Sequence, residues 1–541
     1  MSFAFEHLVI VPILLPLATA ALMVPLDERR RPLKAAIALI STSVTVWVAF
    51  TLLRLADAQA SDASVYLLGN WSAPFGIVLV LDRLSALMLL LTSIVVLAAL
   101  MFSIARWHRV GPFFHALVQF QLAGLNGVFL TGDLFNLFVF FEVLLAGSYG
   151  LALYGSGVLR VKAGLHYITI NLAASSLFLI GVSLIYGATG TLNMADLAVR
   201  IPTVAASDRM LLEAGAAVLA TAFLVKAGMW PLCFWLPATY SVVAPPVAAM
   251  FSIMTKVGIY VILRLWLLLF GVEAGASAYF GHGWLLVGGI ATVVFGSIGL
   301  LASQDLARLA SYNVLVSSGT LLAVIAIGNA AVTSGALFYL VSSTLAISAF
   351  FLLIELIERG RIAGADVLAI TAEALGDDDD DEELEPVGIA IPTTMAMLGI
   401  GFACCALLLA GLPPLSGFIA KFLMLTAMFQ STELGTDATT WTLLALLLLS
   451  GLTVVFAMMR AGIRVFWVPL ESIVPTVRFL EMLPVVGLLA LCIAITIQAG
   501  PVSRFMQATA DSLHAPAPYV KGVGSAPRVE RKQRVGPDNS P

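Results

Sequence analysis

The chain has 541 residues, a mean hydropathy of +1.01, 60% hydrophobic residues, only 11% charged ones, and a formal net charge of −4. Soluble domains carry about 25% charged residues, so these figures exclude a soluble globular protein and leave an integral membrane protein whose helices are themselves the core. The four cysteines, Cys233, Cys404, Cys405 and Cys492, sit in apolar stretches without metal-ligand spacing, and no glycine-rich nucleotide loop or haem-ligand spacing is present. No metal, cofactor or nucleic-acid partner is therefore expected.

Apolar runs of about 20 residues, long enough for one crossing, recur almost end to end. Bounded by charge, Gly or Pro, they give 14 spans at 5–26, 34–53, 77–104, 113–131, 134–154, 164–187, 210–229, 240–270, 283–302, 307–328, 333–357, 388–430, 440–467 and 479–499. The first ends in Asp27-Glu-Arg-Arg-Arg31 and has neither a basic start nor a small-residue cleavage site, so it reads as a membrane helix and not a signal peptide. Arg29, Arg30, Arg31, Arg106, Arg109, Arg160 and Arg359 fall in the loops after odd-numbered spans, and Arg308 and Arg460 lie at span ends on the same side. The positive-inside rule makes those loops cytoplasmic and puts both chain ends on the other side.

Between spans, Asn193–Val199 reads as a short amphipathic piece lying flat. Asp377–Glu385 is a block of like charge that reads as a solvated cytoplasmic loop within 359–386. Residues 501–541 read as a disordered tail rich in Pro and Gly.

Few ionisable groups lie deep in these spans. Glu142 sits midway through Phe135–Tyr154, and of the seven lysines in the chain three, Lys226, Lys256 and Lys421, lie in apolar runs. A lysine at membrane depth costs about 2.5–3.5 kcal/mol on insertion scales, so such residues face the protein interior and mark ion or proton paths. Burial and a nearby carboxylate act in opposite senses on a lysine, which suits a site that loads and unloads a proton. The plainer alternatives are a snorkelling Lys421 near a helix end and a static Glu142–Lys226 pair that locks two helices. The static pair leaves Lys256 and Lys421 without partners.

Each of these lysines is close to prolines that must open a helix. Lys226 precedes Pro231, Lys256 follows Pro245-Pro246, and Lys421 follows Pro413-Pro414. Inside a bilayer such breaks persist only where protein or a wet cavity satisfies the freed backbone. The segments Ala227-Gly-Met-Trp-Pro-Leu232 and Ala410-Gly-Leu-Pro-Pro-Leu415 agree at four of six positions, and broken spans 7 and 12 point to an inverted-repeat transporter.

With Gly132–Glu142, Phe223–Leu232, Ser303–Asn313 and Gly411–Lys421, the chain resembles the proton-translocating subunits shared by Mrp-type multisubunit cation/proton antiporters and respiratory complex I. It looks most like the D component of the Mrp (Pha) antiporter. The resemblance implies an all-α polytopic membrane protein of about 14 transmembrane helices. It places N-terminal helices in 1–110, two inverted five-helix repeats in 111–270 and 271–470, and a last helix in 471–500.

It further implies that Glu142 pairs with Lys226, that Lys256 bridges along a central polar axis, and that Lys421 ends the second half, all as a proton relay. The function it implies is proton movement coupled to Na⁺ or K⁺ efflux across a bacterial inner membrane. The partners would be the other Mrp antiporter subunits (A, B, C, E, F, G), the ions themselves and the lipid bilayer. The alternative is a pumping subunit of a complex I-like or hydrogenase-type redox complex. One departure stands out: relatives often carry histidine in the eleventh span, where this chain has Ser342 and Ser343.

Overall fold

The computed structural model describes residues 7–59, 63–359, 393–430, 438–467 and 477–526, so the acidic run 377–385 lies outside the described residues. The chain forms α1 (Val11–Met23), α2 (Arg31–Ala58), a hairpin of β1 (Ser64–Leu67) and β2 (Val78–Leu81), and α3 (Arg83–Ile104). There follow α4 (Phe114–Leu130), α5 (Leu134–Ala152), α6 (Val158–Thr189), α7 (Met194–Arg200), α8 (Ala206–Ala227), α9 (Trp235–Tyr240) and α10 (Pro245–Leu269). The second part holds α11 (His282–Ala302), α12 (Leu306–Ile325), α13 (Ala330–Glu358), α14 (Thr393–Ala410), α15 (Ser416–Gln430) and α16 (Ala438–Phe466). The described chain closes with α17 (Phe479–Ile497), α18 (Ala499–His514) and α19 (Ala517–Gly524).

The expected all-helical membrane architecture is present. Among the described residues, 12 helices are long and apolar enough to cross a membrane, and α1, α4 and α15 are shorter apolar helices. The 14 crossings expected from apolar runs are thus not matched by the number of long apolar helices among the described residues. Helices α10 and α13 are buried all round. Around them, α10 packs on α3, α8, α12 and α13, and α13 packs on α12, α14, α15, α17 and α18.

Two expectations need correction. The run 77–104 is not one helix: Val78–Leu81 pairs antiparallel with Ser64–Leu67, and the helix starts at Arg83 because the Asp82 side chain accepts from the Ser85 amide at 2.9 Å, a helix N-cap. The stretch read as a short amphipathic piece is α7, a helix that buries Met194, Ala195 and Leu197 and leaves Val199 and Arg200 exposed.

The second concerns 501–541, expected as a disordered tail. Its described part, up to Ser525 and Ala526, is mostly helical, and α18 buries Met506, Thr509, Ala510 and Leu513. That i, i+3, i+4, i+7 spacing makes one apolar stripe, and α18 docks with it on α13. The stripe is too sparse to raise the mean hydropathy, which is why an apolar-run criterion passes over it.

Buried lysines at two matched helix breaks

The two proline breaks share one backbone geometry. At the end of α8, Gly228 adopts φ +72° and the Met229 amide donates to the Leu224 carbonyl at 3.0 Å. At the end of α14, Gly411 adopts φ +73° and the Leu412 amide donates to the Leu407 carbonyl at 3.0 Å. Each is a left-handed glycine closing a helix with a six-to-one bond, and the peptide bonds before Pro231 and Pro414 are both cis. At each break a side chain from beyond it donates to a helix-end carbonyl: Trp235 Nε1 to that of Val225 at 3.2 Å, which also accepts the Gly228 amide, and Lys421 Nζ to that of Ala410 at 2.8 Å.

All three lysines expected to be deep are buried, at 7%, 0% and 9% exposure for Lys226, Lys256 and Lys421. Lys226, on the last turn of α8, donates to Asn171 Oδ1 of α6 at 2.6 Å and stands 5.3 Å from the Phe141 ring of α5. Glu142, next to Phe141, is within electrostatic range of Lys226 but makes no ion pair with it, and its Oε1 is buried without a hydrogen-bond partner. The pairing implied by resemblance is thus an approach and not a contact, with Asn171 as the acceptor.

Lys256 on α10 donates to Ser317 Oγ of α12 at 2.7 Å, and Ser317 donates to Ser343 Oγ of α13 at 3.0 Å. One residue earlier on α13, Ser342 Oγ is 2.8 Å from Ser416 Oγ, the first residue of α15. Between these pairs lies a cavity of about 10 Å³ lined by Asn313, Ser317, Tyr339, Ser342, Ser343 and Gly417 among others. That is roughly the space for one water, and it is polar enough to hold it. The serine pair in the eleventh span therefore occupies the ground between Lys256 and the second break.

Charge-centred sequence reasoning missed two features. Asn171 is uncharged inside an apolar run and gives no signal by itself. Arg264 belongs to a stripe on α10, Ser252, Lys256, Tyr260 and Arg264, whose four-residue spacing puts it on one face over about 18 Å of helix. Every member is hydrogen-bonded: Ser252 to Ser348 at 2.7 Å, Tyr260 Oη to the Phe129 carbonyl at 2.7 Å, and Arg264 Nη2 to Asp82 Oδ1 at 2.7 Å. Burial opposes the charge on Asp82, but the Arg264 guanidinium and Ser85 hold its carboxyl below the usual carboxylate range. The four-residue repeat was the available signal for this stripe.

A bundle of apolar helices with two matched breaks, each with a buried lysine beside it, is the build of a membrane transporter for small ions. Residues 131–453 match the family model described as NADH:quinone oxidoreductase/Mrp antiporter, TM, and the chain belongs to this family. It is 62% identical over 531 residues, 97% of this chain and 98% of the relative, to the probable D component of a K⁺/H⁺ antiporter from Rhizobium meliloti (strain 1021). It is 35% identical to the D component of a Na⁺/H⁺ antiporter from Alkalihalophilus pseudofirmus, over 96% of this chain and 99% of the relative.

The fold superposes on a chain of the Mrp complex from Dietzia sp. with a TM-score of 0.82 and 25% identity, covering 96% of this chain and 99% of that one. A chain of respiratory complex I from Thermus thermophilus shares the fold, with a TM-score of 0.73 at 20% identity over 96% of this chain and 100% of that one. The family resemblance carried by the four sequence stretches is borne out.

Proposed function

We propose that this chain is the proton-translocating subunit of a multisubunit monovalent cation/proton antiporter in a bacterial inner membrane. Protons move along Glu142, Lys226, Lys256 and Lys421, coupled to cation efflux. K⁺ is the first cation to test, because the relative at 62% identity is named for K⁺ and the one at 35% for Na⁺. The expected partners are the other Mrp antiporter subunits (A, B, C, E, F, G), and both chain ends face away from the cytoplasm. The antiporter reading is preferred to the redox-complex one because these two relatives, matched over nearly their whole length, are both named as antiporter components.

The observation that carries the route is the hydroxyl ladder from Lys256 through Ser317 to Ser343, beside a cavity of one-water size that Ser342 and Gly417 also line. When Lys256 gives its proton to the Ser317 oxygen, the Ser317 proton can pass to Ser343, and the hydroxyls then reorient. Serines and one water do here what a titrating side chain would do elsewhere. The test is K⁺-driven proton movement in vesicles for Ser317→Ala with Ser343→Ala, with the amount of assembled complex checked by blotting. A positioned proton-transfer group is worth about 10²–10⁴ in rate, so the double variant should fall at least about tenfold with assembly intact. Wild-type exchange by that variant would remove the ladder from the route.

A further inference from the structure

We propose that Asn171 is a positioning residue that competes with Glu142 for the Lys226 ammonium, so that Lys226 alternates between a neutral acceptor and a charged one. The inference rests on the relay reading above and adds to it the partner that Lys226 holds when it is not engaged by the carboxylate.

Three observations carry it. First, Asn171 is 1% exposed and its amide is fixed: Nδ2 donates to the Tyr167 carbonyl at 2.7 Å, so Oδ1 must face Lys226, which donates to it at 2.6 Å. An amide held this way can only accept from the lysine. Second, Glu142 Oε1 is buried with no hydrogen-bond partner, an expensive state for a carboxylate oxygen that a donor from Lys226, which already lies within its electrostatic range, would relieve. Third, the support behind Asn171 is rigid. Tyr167 Oη is 2.8 Å from Ser148 Oγ, and its ring packs against Trp235 and Phe251.

A lysine between two acceptors of different charge is a two-position element. The charged acceptor holds the ammonium when Glu142 is ionised, and the amide holds it when Glu142 is protonated. Few other groups contribute. Glu142 and the buried Tyr149 hydroxyl, which also lacks a partner, face the site from α5. α10 meets this stretch of α8 through Gly258, and α9 through Trp235, neither of which titrates. Lys256 keeps to Ser317.

The discriminating variant is Asn171→Asp, which keeps the shape and makes the second acceptor charged. In the assembled complex, K⁺-driven proton movement should fall about tenfold or more at neutral pH, the scale of one charge-assisted hydrogen bond. It should recover on acidification, as the new carboxyl protonates and becomes a neutral acceptor again. Asn171→Leu should fall similarly without acid recovery, because it has no acceptor to restore. A wild-type pH profile for Asn171→Asp, or a loss unchanged across pH, would overturn the proposal. Glu142→Gln and Lys226→Ala run in parallel separate the two readings: wild-type exchange by either of these sinks the relay itself, whereas their failure alongside an unaltered Asn171→Asp sinks only the competition.

Discussion

Lys421, five residues into α15, donates its ammonium to the carbonyl of Ala410, the last residue of α14, at 2.8 Å across the Pro413-Pro414 break. The lysine assigned to the proposed relay is thus also the group that satisfies a carbonyl opened by the prolines. A lysine that releases a proton keeps two N–H bonds, so it can lose its charge without orphaning that carbonyl. Under the proposed relay, one side chain would serve the fold and the proton path in turn.

The same close approach involves Gly451 of α16. A Cβ added there would stand 2.8 Å from the Ala410 oxygen and 3.2 Å from Lys421 Nζ, tighter than backbone atoms tolerate. Overpacking of this kind costs about 1–3 kcal/mol, taken up here by pushing α16 or the lysine away from the break. Gly451→Ala should lower exchange several-fold or more while the complex still assembles. Gly487→Ala, where nothing lies within 4 Å, should behave as wild type. Equal activity of the two variants would show that the break has slack.

The Asp82–Arg264 pair joins the start of α3 to the far end of the α10 stripe, with the Tyr519 ring of α19 5.5 Å from the guanidinium. Removing one partner of a buried pair strands the other charge and costs about 3–5 kcal/mol. Asp82→Leu should therefore lower the thermal midpoint of the complex more than Asp82→Asn combined with Arg264→Gln. The pH dependence follows from the sign. The folded carboxyl titrates below its ordinary value of 3.8, so the pair's stabilisation is fully present above that value and is lost as pH falls below it. Midpoints measured down a pH series should show a steeper acid decline for wild type than for the double variant, and parallel declines would deny the pair this role.

Much of the site was legible because charge and proline are loud inside apolar sequence. Lys226, Lys256, Lys421, Pro231, Pro413 and Pro414 stand out against a background that makes each costly, and the Ala-Gly-x-x-Pro-Leu match pointed to two breaks that proved to share a left-handed glycine and a six-to-one bond. What stayed hidden was quiet or distant. Asn171 is polar without charge, and its partner lies 55 positions away. Asp82 and Arg264 are separated by 182 positions, so neither announces the other. The hairpin strands are four residues each, and Val78–Leu81 is as apolar as the helix it precedes. In α18 the signal was periodic and not compositional, so it vanished in an average.

In the proposed relay Lys421 exchanges protons and is not merely a fixed countercharge or helix staple. The direct measurement is a pH series of K⁺-driven proton movement for Lys421→Arg, Lys421→Ala and Lys421→Glu, in vesicles lacking other antiporters and with complex content verified. Guanidinium keeps its charge at any accessible pH, so the arginine variant should fail nearly as badly as alanine. Glutamate can titrate and should retain partial activity with a shifted optimum. An arginine variant with the wild-type rate and pH profile would contradict the relay.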